Sequence, residues 1–199
     1  MARDFDGATD RIDYVPTFAP GGVAQTIAIW CNPDDISTGN DKWFFIARDV
    51  SNNAAIWAGY SLGGGLGLFA NMRFATGDLK RFSDDTEGFT TGSWQLIIIT
   101  YDGTTTATGT HIYLDNVEVT YATSDNGSGA ANSGDTIMTL GGNNAADNRG
   151  FNGQLAEYAI WDRVITAPER AILQAKYSAK FIPNGLRSYR PIVRSQKDV

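Results

Sequence analysis

The 199 residues include 42% hydrophobic and 12% aromatic side chains, enough for one domain with a sizeable core, and no apolar run of the roughly 18–20 residues that would span a bilayer. The net charge of −6 argues against nucleic acid as a ligand, and it is uneven: residues 1–163 hold 9 Lys and Arg against 20 Asp and Glu, residues 164–199 hold 7 against 2. A single Cys31 rules out an internal disulfide, and one Cys with one His argues against zinc.

Short apolar runs separated by Gly, Asn, Asp, Ser and Thr follow one another along the chain, the pattern of an all-β fold. The predicted strands are Arg11–Val15, Gln25–Cys31, Lys42–Arg48, Ala54–Leu62, Leu66–Phe74, Leu79–Ser83, Trp94–Tyr101, His111–Tyr121, Thr136–Leu140 and Leu155–Trp161. Alternation puts Ile27, Ile29 and Cys31 on one face and Ala28 and Trp30 on the other, so this strand is buried on both sides. Asp115-Asn116 between His111–Leu114 and Val117–Thr120 predicts a two-residue hairpin turn, because Asx residues tolerate left-handed backbone. Ser124–Asp135 reads as a long loop. Thr166, Pro168 and Glu169 start one helix with a capping box, and Ile172, Leu173, Lys176 and Tyr177 continue it at helical spacing. Residues 1–182 are expected to form the domain, and 183–199 a basic extension whose Gly185–Pro191 stretch is extended.

Several segments, in this order, resemble the laminin-G-like, concanavalin A-like jelly rolls. They are Phe5-Asp6-Gly7-Ala8-Thr9-Asp10-Arg11-Ile12, Thr26–Trp30, Trp94–Gly103, Ile112–Asn116, Leu140-Gly141-Gly142, Phe151–Leu155 and Ala159–Arg163. The resemblance covers residues 5 to about 178. It implies an all-β, two-sheet antiparallel sandwich of five to seven strands per sheet with one short C-terminal helix. The chain departs from the pattern where many relatives carry an acidic residue after Gly-x-Ile/Leu, for Ala156 stands there and Glu157 follows. The segment Pro183–Pro191 resembles an extension found in tailed-phage structural proteins.

Catalytic chemistry is not expected. Glucanases of this fold set two Glu around an Asp on one strand, whereas the four Glu here (Glu87, Glu118, Glu157, Glu169) are scattered. The sole His111 has no neighbouring nucleophile motif, and Gly63-Gly64-Gly65-Leu66-Gly67 lacks the Lys-Ser/Thr ending of a phosphate loop. No cofactor is required; calcium is the metal that the residues suit best, on Asp6 and Asp10 or on Asn144 and Asp147, and it is expected to be dispensable. Trp30, Trp94 and Trp161 fall at strand positions of the resembled family and read as core, whereas Trp43 and Trp57 lack that explanation and read either as core or as ligand-facing aromatics. A glycan is expected at the rim near Trp43, Asn126 and Asn143, where an aromatic face meets loop amides.

Two roles fit these readings. The first is a virion decoration protein of a tailed phage on the virion surface, docked on a capsid or other virion protein, or on a second copy, through Arg187, Tyr189, Arg190 and Arg194. A start at Met1 without a leader pattern accords with it. The second is an extracellular carbohydrate-binding module of a secreted bacterial protein. In the tail, Leu186 and Tyr189 either anchor such a partner or pack back on the sandwich. Neither role involves nucleic acid or membrane insertion.

Overall fold

A computed structural model describes residues 2–36, 41–61, 67–84, 88–142 and 149–192. In chain order the strands are β1 (Arg3–Asp6), β2 (Ile12–Tyr14), β3 (Gln25–Pro33), β4 (Lys42–Arg48), β5 (Ala54–Tyr60), β6 (Leu68–Met72) and β7 (Leu79–Ser83). They continue with β8 (Gln95–Tyr101), β9 (Thr110–Leu114), β10 (Val117–Glu118), β11 (Tyr121–Asp125), β12 (Ile137–Leu140) and β13 (Asn152–Trp161), then helix α1 (Ala167–Gln174) and β14 (Leu186–Arg190). Two antiparallel sheets of seven strands result. The first runs β1-β13-β3-β8-β9-β10 with β14 also on β13; the second runs β11-β7-β6-β5-β4-β12-β2.

The alternation read from the sequence decides what each face meets. Ile27, Ile29 and Cys31 enter the core between the sheets with Ile97, Ile99, Phe44, Phe45, Met138 and Leu155. Ala28 and the partly buried Trp30 point the other way, into a second apolar layer with Leu96, Ile98, Trp161 and Leu173, which α1 covers. At Gly141, φ is +79° and an added Cβ would lie 2.2 Å from the Phe5 ring, so glycine lets the first strand's aromatic close the core.

The local predictions explain the connections. Asp115 and Asn116 have φ of 50° and 66°, the left-handed pair of a type I′ turn between β9 and β10. Thr166 and Glu169 form the predicted capping box, and Arg163 binds the Glu169 carboxylate through two nitrogens at 2.9 and 2.5 Å. His111 is held by Glu118 across the hairpin, Nδ1 to Oε1 at 2.6 Å. The Ser124–Asp135 stretch contributes its start to β11, then runs along the β6–β7 connection through isolated bridges at Ser128 and Ala131. The stretch beyond residue 182, expected as an extension, adds β14 to the first sheet.

Candidate functional site

Two partial strands share one edge of β13. Arg3–Asp6 of β1 pairs with Asn152–Leu155, and β14 pairs with Tyr158–Trp161. Ala156 and Glu157 lie between these half-edges, where the register against β3 also shifts between Ala156 and Ala159. The shift is a bulge: Leu155 and Tyr158, three residues apart, both enter the core. Glu157 absorbs it with φ of 53°, a conformation that costs a non-glycine residue about 1–2 kcal/mol.

Over this gap lies a cleft of about 550 Å³ on the outer face of the first sheet, lined by Ala2, Trp30, Trp94, Gln154, Ala156, Glu157, Lys176, Tyr177 and Ser178. Trp30 reaches it from β3. Trp94 precedes β8 and, by alternation, faces the same side as Leu96. The far wall comes from the end of α1. Lys176 N–H donates to the Leu173 carbonyl at 2.9 Å and Tyr177 N–H to Ile172 at 3.2 Å, a Schellman closure with Lys176 at φ of 64°. That turn projects Tyr177 outward, 58% exposed, its ring edge-on to Phe181 at 5.8 Å.

Two of the polar groups, Glu157 and Gln154, are held by their neighbours. The Tyr189 hydroxyl, from β14, donates to Glu157 Oε2. Partial burial, then that hydrogen bond, raise the Tyr189 hydroxyl above its ordinary pKa, so it remains a donor at neutral pH. Gln154 Nε2 donates to Asp4 at 2.6 Å, which directs its amide oxygen elsewhere. Three aromatic faces beside a carboxylate, an ammonium and an amide can hold a ligand that has both an apolar face and a hydroxylated edge. Glu157 is the one carboxylate among the lining residues, whereas glycoside hydrolysis in most families takes two.

A family model described as the concanavalin A-like lectin/glucanases superfamily matches residues 6–169. The chain belongs to this superfamily. No curated protein sequence matches it significantly. Among solved structures, this superfamily member is similar to a heptameric SAP-like pentraxin from Limulus polyphemus, with 12% identity, a TM-score of 0.62, and coverage of 94% of this chain and 89% of that one. A putative carbohydrate binding protein from Bacteroides ovatus gives 16%, 0.62, 96% and 50%. A Trypanosoma rangeli sialidase gives 9%, 0.52, 78% and 23%, so the similarity spans under a quarter of that enzyme. At these identities the likeness is one of fold.

The cleft of this lectin-like sandwich is not where the sequence pointed. Trp43 lies on the outer face of the second sheet, 5% exposed, 6.4 Å from Trp57 and under Arg149 at 4.8 Å. Asn126 follows β11, four strand positions or about 19 Å away, and its Oδ1 accepts from Ala107 N–H at 2.8 Å. The two are not brought together; Asn143 lies outside the described residues. Of the tryptophans read as core, Trp161 is fully buried, with Nε1 donating to the Ile182 carbonyl at 2.8 Å, but Trp30 is half-buried and Trp94 is 39% exposed. The signal missed was the end position of Trp94, one residue before the strand, where core alternation no longer binds it.

The Asp6 carboxylate accepts from the backbone N–H groups of Ala8, Thr9 and Asp10 and from the Thr9 hydroxyl, at 2.8–2.9 Å. These backbone donors, Asp10 first, hold its pKa far below the usual carboxylate range. Asp10 itself sits 3.9 Å from Arg3. An Asp6 so engaged organises its own loop and has little left for a cation, and no group of three acidic, His or Cys residues converges among the described residues. Asn144 and Asp147 lie outside those residues. In the tail, Arg187 pairs with Asp162, Tyr189 with Glu157, and Arg190 stacks 4.0 Å over Tyr14; Arg194 lies outside the described residues.

Proposed function

We propose that this domain binds a glycan, without cleaving it, in the cleft walled by Trp30, Trp94 and Tyr177. One observation carries the reading: two large aromatics, 39% and 58% exposed, stand in the same cleft as fixed hydrogen-bonding groups. Aromatic surface left in water is unfavourable unless it is covered in use, and a pyranose offers an apolar face of matching shape. The fold shared with the putative carbohydrate binding protein from Bacteroides ovatus supports the class. The lone lining carboxylate supports binding over hydrolysis. An assignment to the virion surface, with the tail docked on a capsid protein, has less support, because Arg187, Tyr189 and Arg190 face partners within their own domain.

A glycan microarray probed with the wild type and Trp94→Ala tests the reading. The wild type should bind a defined subset of glycans, and the variant should lose about tenfold or more in affinity, ~1.4 kcal/mol, with little change in Tm. Neither protein should release reducing sugar from the glycans bound. Absence of binding, or binding indifferent to Trp94, would refute the site; sustained turnover would refute the non-catalytic part.

A further inference from the structure

We propose that the Asn32 amide, recessed in the floor of the cleft, selects a bound sugar by one hydroxyl directed at it. The inference rests on the glycan-binding reading and adds a specificity-determining residue to that site. Asn32 is the next residue of β3 on the outer face after Trp30. It lies opposite Gln154 of β13. On its other side, the register that sets Trp30 against Leu96 and Cys31 against Gln95 carries on to set Asn32 against Trp94. Side chains at such paired positions leave Cβ atoms about 5 Å apart. Trp30, Trp94 and Gln154, its neighbours on this face, all line the cleft.

Asn32 Oδ1 is buried and accepts no hydrogen bond from a described residue, although the residue as a whole is part-buried. Gln154, directly opposite, gives its Nε2 to Asp4 at 2.6 Å instead. The Trp94 indole donates to no described residue, is not part of the apolar layer that takes in Trp30, and belongs to a residue 39% exposed. Trp94 is therefore the neighbour freest to turn aside. A buried acceptor without a donor destabilises a protein, and a leucine of similar shape carries no such penalty. An amide held there at that cost, beneath a cavity, fits a donor that arrives with the ligand. A ring hydroxyl is such a donor, reaching Oδ1 as Trp94 turns to stack on the apolar face of the sugar. A sugar without that hydroxyl leaves the amide unpaired beneath it and binds more weakly.

The test is titration, followed by nuclear magnetic resonance, of the wild type and N32L with the methyl glycosides of glucose, galactose, mannose and N-acetylglucosamine, and with the monodeoxy analogues of whichever binds. Replacing one particular hydroxyl by hydrogen should cost the wild type about tenfold or more in affinity, ~1.4 kcal/mol, and replacing any other about threefold or less. N32L should bind the parent sugar about tenfold more weakly and respond to loss of that same hydroxyl by less than about threefold. Its Tm should be unchanged or higher. N32A, which only truncates the side chain, should show the same loss of response, so the result does not depend on how leucine packs. A lower Tm with sugar binding intact would assign Asn32 to the fold and overturn the proposal. An equal response to every deoxy analogue in wild type and variants would overturn the subsite while leaving glycan binding intact. No binding by any of these sugars would also overturn the subsite, and the glycan array decides the broader reading separately.

Discussion

Glu169 shows how one side chain can tie a helix to a sheet. It accepts from Thr166 N–H at 2.8 Å and from two nitrogens of Arg163, the residue two beyond the end of β13. The Arg163 hydrogen bonds, followed by those of Thr166, lower its pKa to about 2. A carboxyl depressed in the folded state contributes its stability above its unfolded pKa of about 4.3 and loses it as the pH falls through the folded value. With about a quarter of the side chain exposed, the contribution is discounted to about 1–2 kcal/mol. Glu169→Gln should therefore cost about that much in urea unfolding at pH 7, and the gap from wild type should close as the pH approaches 2. A gap that persists unchanged at acid pH would assign Glu169 a packing role instead. The capping box that starts this network was legible in Thr166 and Glu169; Arg163 was not, because its approach depends on where β13 ends.

At the scale of elements, β14 carries the largest difference between expectation and structure. The sequence leaves two readings of this segment, Arg187, Tyr189 and Arg190 as docking anchors or Leu186 and Tyr189 packed back on the sandwich, and in the structure Leu186 and Tyr189 pack beside the layer under α1 while the backbone pairs with β13. A strand pattern does not say which edge it will join, and here the edge of β13 beyond Leu155 is open to β14 because β1 pairs only from Arg3, opposite Leu155, to Asp6. Removal of residues 186–199 should unpair the second half of β13 and release Glu157, lowering Tm by about 6 °C or more, as a loss of ~2 kcal/mol would in a chain of this size. Reduced oligomer mass or particle association with unchanged Tm would return the segment to a docking role. The strands of the second sheet were legible almost to the residue at Lys42–Arg48 and Leu79–Ser83, where apolar runs end on charged or turn residues. The bulge at Ala156–Glu157 was not, since neither residue is a glycine that would announce it.

Across the whole molecule, the sandwich was legible because the order of apolar runs, Asx turns and one capped helix leaves few other arrangements for 199 residues. The site was not, because it is assembled from the approach to β1, β3, β13, the approach to β8 and the end of α1, five places that no local pattern joins. The same view bears on calcium. With Asp6 spent on its own loop, a chelator should move Tm by less than about 2 °C, since only a ligand bound to the native state stabilises it by mass action. A fall of about 10 °C or more would reveal a cation that supports the fold. The most direct test of the central claim is nuclear magnetic resonance of the indole N–H groups of the five tryptophans during titration with a glycan that binds. The resonances of Trp30 and Trp94 should shift in proportion to occupancy while those of Trp43, Trp57 and Trp161 stay in place; shifts confined to Trp43 and Trp57 would put the ligand on the opposite sheet and contradict the account.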